Sequence, residues 1–450
     1  MNNNLSTPSL KPVLGLRDLI IYGIIMVQLV APVPIYGLVQ IRSGGNALPT
    51  ILFAMVGMLF TAISYGRMTA LYPVAGSAYT YVSRSIHSYP GFLIGWAMVL
   101  DYMVIPLISI IIPALILEQV LPEIPFPILT LLVILIMTLL NLRGIKTTNK
   151  ANITLLLVTS AAIFLFIVMS IKYLYAKGGV GALFSFTPFY NPNSFDVGKI
   201  ITGTSLAALT YIGFDGVTTL AEDTKNPRRN ILIATVSVCL ITGVVSVIEL
   251  YFFQMVWADW TTHSNPDTAY LEIMKLAGGT LLFSVFSVVM SLSQFGSGLT
   301  GQVGAARLLY GMGRDNVIPK RIFGVLSRVQ QTPVYNIWIV GFIAFVGSVF
   351  LPLGNACDLL NFGAFLGYMG VNLSVIWSYY LRPPAGYNRH IIKDLILPGF
   401  GFLFCILIWI GLPNVAQITG AAWLMCGVLV LAYKTKGFKQ KPELFDFDKQ

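Results

Sequence analysis

Val30-Ala31-Pro32-Val33-Pro34 interrupts one hydrophobic stretch, from Leu14 to Gln40, and Tyr211-Ile212-Gly213-Phe214-Asp215 interrupts another, from Gly198 to Glu222. Each stretch is long enough to cross a bilayer, which takes about 20 mainly apolar residues. Two closely spaced prolines in the first, and glycine before aspartate in the second, break the helix near its middle. Unwound backbone at membrane depth survives only where protein or a water-filled cavity satisfies its polar groups. A pair of broken spans in corresponding halves of a chain is a sequence pointer to a transporter's substrate site.

The rest of the chain fits a membrane setting. Of 450 residues, 56% are hydrophobic and only 10% are charged, with mean hydropathy +0.78. A soluble domain carries roughly 25% charged residues. We read twelve spans, at 14–40, 48–71, 91–116, 126–142, 151–171, 198–222, 230–256, 280–303, 333–352, 355–381, 391–412 and 416–434. They group as a five-helix unit at 14–171, a second at 198–381 and two additional helices at 391–434. Each unit opens with a broken span. An odd number of spans per unit inserts the second upside down, so the expected fold is an all-α integral membrane protein with a 5+5 inverted repeat and a site near the midplane.

The net charge of +10 raises the question of nucleic acid, and the distribution of charge answers it. With the N-terminus in the cytoplasm, 23 of the 28 Lys and Arg fall on the inner side. The outer side holds Arg42, Lys172, Lys177, Lys199 and Lys275. This is the positive-inside pattern, and it predicts a multi-pass protein of the cytoplasmic membrane with both termini inside. A basic face on a folded domain, which nucleic acid requires, has no place here. Met1 to Lys11 lacks a cleavable-signal pattern. The tail from Lys434 to Gln450 is charged and expected to be mobile. Residues 72–90 are too polar to span and read as a short amphipathic helix on the inner surface, entered by a turn at Pro73-Val74-Ala75-Gly76.

Cys239, Cys357, Cys405 and Cys426 lie in or beside spans without metal-ligand spacing and read as small buried apolar residues. His87, His263 and His390 are scattered in connecting segments. The sequence therefore predicts no metal site, no cofactor and no enzyme active site.

Ionisable groups inside spans are costly and mark function. They are Asp101, Asp215, Glu222, Glu249 and Asp358. Asp215 and Glu222 are seven residues apart, which on a continuous α-helix places them nearly on one face. Two such carboxylates suit a cationic substrate or a proton relay. The competing readings are that Asp215 accepts from freed backbone N–H groups at the break and that Glu222 pairs with Lys225, Arg228 or Arg229 as a gate. Asp101 and Tyr102 point about 100° apart, and Tyr102 is the better substrate contact, since a ring with a polar tip can cover an aliphatic cation. Glu249 reads as an interhelical partner. Half-helix ends offer N–H groups to an anion and carbonyls to a cation. The two prolines of the first break remove donors, which leans toward a cation.

The run Gly213-Phe214-Asp215-Gly216-Val217-Thr218-Thr219-Leu220-Ala221-Glu222-Asp223-Thr224-Lys225-Asn226-Pro227-Arg228-Arg229 resembles the amino acid–polyamine–organocation transporter superfamily. Leu59 to Gly66, Ala75 to Tyr81, Leu100-Asp101-Tyr102 with Pro106, Arg307 to Pro319 and Asn361 to Val375 resemble its putrescine importer branch. The resemblance implies alternating access and a site from spans 1, 3, 6, 8 and 10. By position, its lining is Val30, Ala31, Pro32, Val33, Pro34, Tyr102, Tyr211, Ile212, Gly213, Phe214, Asp215 and Ser293; the charges inside the spans separately point to Asp101, Asp215 and Glu222 as coupling or gating residues. Where amino-acid-transporting relatives have a glycine-rich first break, this chain has Ala-Pro-Val-Pro. Where some proton-coupled relatives carry a lysine in span five, it has Leu155 to Thr159. Ser291, Ser293 and Ser297 are the hydroxyls that a sodium site in span eight would use. The expected function is proton-coupled import of a putrescine-like polyamine, the alternative an amino acid permease or exchanger. The expected partners are a small cationic or zwitterionic substrate, H+ as coupling ion and the lipid bilayer.

Overall fold

The computed structural model describes residues 13–73, 77–143, 149–314, 318–327 and 332–439, without the side chains of 149–152. Met1 to Lys11, the Val74-Ala75-Gly76 part of the proposed turn, residues 315–317, Arg328 and the end of the C-terminal tail lie outside that set. The elements are α1 (Leu16–Val27), α2 (Tyr36–Ser43), α3 (Ala47–Leu71), α4 (Ser77–Ser85), α5 (Ser88–Val120), α6 (Phe126–Leu142), α7 (Asn149–Gly178) and α8 (Val197–Ala207). They continue as α9 (Pro227–Val256), α10 (Ala269–Arg314), α11 (Lys320–Phe323), α12 (Val334–Phe350), α13 (Leu353–Val375), α14 (Leu397–Ile410) and α15 (Asn414–Lys434).

The chain is an all-α membrane protein. Among the described residues, nine helical stretches are long and apolar enough to cross a bilayer, and Phe126–Leu142 and Val334–Phe350 are shorter apolar helices. With the interrupted α1–α2 pair, these elements account for the twelve spans read from the sequence. Proline sets many of the starts. Pro125, Pro333, Pro352 and Pro413 precede α6, α12, α13 and α15, and Pro227 opens α9. A first-turn proline loses no helix hydrogen bond and brings the right φ.

Small residues and hydroxyls hold the bundle together, as expected where lipid removes the hydrophobic drive between helices. Along the α3–α9 seam, a Cβ on Gly66 would lie 2.5 Å from the Leu232 backbone, and Thr235 Oγ1 donates to the Ala62 carbonyl at 3.2 Å. Gly363 brings α13 against α5, where a Cβ would lie 2.7 Å from the Ala97 carbonyl oxygen. The α13 span has 78% of its membrane window buried and sits centrally, whereas α15, at 22%, is peripheral.

Three expectations need correction. The eighth span is longer than 280–303: helix runs from Ala269 to Arg314 with a kink at Gly279, where φ is 65°. Its first segment, read as loop, buries Tyr270, Leu271, Ile273 and Met274 because those positions recur at helical spacing. Helix α4 does form within 72–90, but it does not lie on the surface. Ser77, Ala78, Tyr79, Tyr81 and Val82 are buried, because the tyrosines find hydroxyl partners inside the bundle. Finally, Cys239, Cys357 and Cys405 are buried, but Cys426 is exposed on the peripheral α15.

Candidate functional site

Both interrupted spans unwind where the sequence places the breaks. After α1, Gln28 takes φ 64°, and short turns carry the chain to α2, with Ala31 N–H donating to the Gln28 carbonyl and Val33 N–H to Val30. Val30, Pro32, Val33 and Pro34 are buried and Ala31 is partly so. In the sixth span, α8 tightens into a 3₁₀ turn at Ala208–Tyr211, Ile212 is extended, Gly213 sits at φ 112°, and a second 3₁₀ helix covers Phe214–Leu220. The two breaks meet: a Cβ on Gly213 would lie 3.1 Å from the Met26 carbonyl oxygen at the end of α1. Only glycine fits there, both for its positive φ and for this backbone approach.

The 3₁₀ winding overturns one expectation. With three residues per turn rather than 3.6, Asp215 and Glu222 no longer share a face. Asp215 is partly buried, whereas Glu222 is exposed beyond the end of that helix.

Asp215 is the centre of a group of side chains from five segments. Ser77 Oγ of α4 lies 3.5 Å from Asp215 Oδ2, and the N–H groups of Gly213 and of Asp215 itself turn toward the carboxylate. Within electrostatic reach of its carboxyl are the hydroxyls of Tyr65, Tyr81, Tyr102 and Tyr368 and the carboxyl of Asp101. The rings form a continuous cluster. Tyr65 meets Phe214 edge-on at 5.5 Å, Tyr368 at 5.8 Å and Tyr81 at 6.2 Å, and Phe214 lies 5.5 Å from Tyr368. Tyr81 and Thr69 share a hydroxyl hydrogen bond of 2.7 Å, which ties α4 to α3.

Asp101, on α5, faces Gly363 of α13, and its Oδ1 is buried without a hydrogen-bond partner among the described residues. Tyr102 turns the other way. Its ring packs beside Gly304 of α10 and stays 39% exposed. The acid is thus the inward member of the Asp101–Tyr102 pair, with Tyr102 at the rim.

The remaining predicted residues divide. Ser293 Oγ donates to Gln28 Oε1 at 3.1 Å, in a small cleft with Ile24, Ile25, Leu29, Leu155, Leu156 and Thr159. That cleft adjoins the first break on the α7 and α10 side, and none of the aromatic cluster lines it. Tyr211 is buried, and its hydroxyl donates to the Ile51 carbonyl at 3.0 Å, so its polar tip faces α3. Asp358 is paired with Arg42 through two contacts of 2.5 Å. Glu249 was expected to have an interhelical partner, and both its oxygens lack one among the described residues. No group of three or more His, Cys, Asp or Glu side chains able to hold a metal ion occurs among the described residues.

Sequence reasoning did not select Tyr65, Tyr81 or Tyr368. All three lie in the stretches quoted for family resemblance. Tyr368 follows Gly363 and Gly367 on α13, a spacing that signals close approach but names no site. Chemically, two carboxylates among tyrosine rings can hold an organic cation, exchange a proton, or do both.

A family model for amino acid permeases matches residues 36–427. The chain belongs to the amino acid permease family. It is 33% identical over 441 residues to the low-affinity putrescine importer PlaP of Escherichia coli (strain K12), covering 97% of this chain and 96% of that protein. It is 26% identical over 455 residues to the branched-chain amino acid permease BcaP of Lactococcus lactis subsp. cremoris (strain MG1363), with 93% of each chain covered. Among solved structures, a manganese transporter of Eremococcus coleocola matches with a TM-score of 0.52 at 12% identity, over 94% of this chain and 95% of that one. That likeness concerns the fold alone.

Proposed function

We propose that this amino acid permease family member imports a putrescine-like polyamine, coupled to protons and by alternating access. The observation that carries the reading is the Asp101–Asp215 pair beside Tyr65, Tyr102 and Tyr368, where the two breaks meet. An ammonium group gains from carboxylates and from ring faces together. An amino acid's carboxylate would meet like charge there. The 33% identity to a putrescine importer supports the same choice. In this reading the two five-helix units are inverted repeats in the cytoplasmic membrane, both termini are inside, and Arg42–Asp358 closes the outer side. Asp215 contacts the amine, and Asp101 is one group whose proton exchanges.

The second reading is an amino acid permease or exchanger. It is favoured by the relationship to BcaP.

Uptake of radiolabelled putrescine into proteoliposomes under an imposed pH gradient tests the proposal. The expected result is uptake that a protonophore abolishes and that unlabelled diamines block. Asp215→Asn should abolish uptake while the purified protein stays folded. Absence of putrescine uptake, with counterflow of an amino acid instead, would select the second reading.

A further inference from the structure

Glu249 lies on α9, 1% exposed, with neither carboxyl oxygen hydrogen-bonded among the described residues. A carboxylate in a bilayer-spanning core without a partner is far more costly than the neutral acid.

Its position links it to both broken spans. A Cβ on Gly243, earlier on α9, would lie 3.3 Å from the Tyr211 hydroxyl at the second break. Phe253, one turn after Glu249, stacks at 4.9 Å on Tyr36, the first residue of α2. Gln254 Nε2 then donates to the Gly45 carbonyl at 3.0 Å, just past the end of α2. Glu249 stands between these contacts, so a movement of either interrupted span relative to α9 changes its surroundings.

We propose that Glu249 is a proton carrier of the transport cycle, protonated in this conformation and released to water when the broken spans shift against α9. This rests on the proton-coupled reading above. One O–H bond forms, with a proton from the side of higher acidity, and the same bond breaks toward water on the other side. The environment suits a proton better than a metal cation. Ser246 Oγ, one turn before Glu249, donates to the Thr242 carbonyl, so that hydroxyl is turned to backbone rather than to the carboxyl. Titratable groups that touch this stretch of α9 include Tyr36 on α2, whose hydroxyl accepts from Gln40 Nε2, and Tyr211 at the second break. Cys239 lies further back on α9 itself, and among the described residues no cationic side chain pairs with the carboxyl.

The test compares wild type with Glu249→Gln, which fixes the neutral form, in proteoliposomes. Putrescine accumulation under a pH gradient is measured beside putrescine counterflow without one. The expected result is counterflow kept and gradient-driven accumulation reduced about tenfold or more, the factor that one pH unit sustains for one coupled proton. Equal accumulation by Glu249→Gln and wild type overturns the proposal and leaves the coupled reading standing. Wild type that ignores the pH gradient overturns both. Accumulation driven by a sodium gradient and lost in Glu249→Gln overturns the proton in favour of a metal cation. Should Glu249→Gln not be recovered folded, Glu249→Asp carries the test: a shifted pH profile of uptake is expected, and an unchanged one overturns the proposal.

Discussion

Arg42 and Asp358, 316 positions apart in the chain, meet through two parallel nitrogen–oxygen contacts of 2.5 Å, with the Asp358 side chain fully buried. Arg42 lies in the last turn of α2, the second half of the first broken span, and Asp358 lies in the first turns of α13, whose later turns carry Tyr368. One ion pair therefore joins two of the segments around the candidate site. A planar guanidinium matches a carboxylate in this two-point geometry as lysine cannot.

Breaking that pair from one side strands a buried charge, at a cost of about 3–5 kcal/mol. Arg42→Met is expected to lower the thermal midpoint of unfolding, and Arg42→Met with Asp358→Leu to recover most of the loss. The neighbouring Cys357 is a buried free thiol. Its modification by a membrane-impermeant thiol reagent, followed by mass spectrometry, should rise in Arg42→Met. Unchanged labelling would remove the pair from any role in closing that end.

Gly213→Ala is expected to abolish transport and to cost about 1–3 kcal/mol, the usual range for a non-glycine residue held at a disfavoured φ. The added Cβ also faces the Met26 carbonyl oxygen at 3.1 Å, so strain and contact act together. Gly216→Ala is the control. Its Cβ would meet only the flexible end of Met26, and its φ is not in the positive range. Uptake and thermal unfolding of the two variants side by side check the contrast.

His263, in the connection between α9 and α10, stacks on Trp257 at 4.6 Å and meets the edge of Tyr36 at 6.4 Å. Burial pushes its pKa below the ordinary 6.5, against the opposing pull of the Glu272 and Asp259 carboxylates. The folded protein then binds this proton less readily than the unfolded chain. Its contribution to stability is present above pH 6.5 and is lost as pH falls from there toward the lower folded value. Thermal unfolding measured on both sides of that window should show wild type weakening in acid, and His263→Phe, which keeps the ring packing, weakening less.

Much of this was legible in the sequence, and particular residues show why. Proline pairs and a Gly-Asp step announce themselves, so both breaks, at Pro32–Pro34 and Gly213, were readable. Asp101 and Asp215 were readable because charge inside a span is rare. What local pattern cannot supply is direction. The face that Asp215 shows depends on 3₁₀ winding after Gly213, which turns Glu222 away from it. Likewise, α4 is polar enough for a surface helix, and only the Thr69 and Ser77 contacts of the folded bundle explain its burial. Tyr65 and Tyr368 are two among 21 tyrosines, and nothing in their neighbours along the chain says that they would surround the same carboxylates.

Tyr65 gives the sharpest test of that aromatic cluster. It is buried, meets Phe214, Tyr81 and Tyr368 edge-on, and shares a hydroxyl hydrogen bond with Ser77. If its ring covers the bound amine, Tyr65→Leu should raise the KM for putrescine about tenfold, since a desolvated cation–aromatic contact is worth about 1–2 kcal/mol. Tyr65→Phe keeps the ring and loses only the link to Ser77, so its KM should stay close to that of wild type while the position of α4 loosens. Initial rates of putrescine uptake across a concentration series separate the two effects. Equal losses in Tyr65→Phe and Tyr65→Leu would transfer the role from the ring to the hydroxyl, and from holding substrate to holding α4 against Asp215.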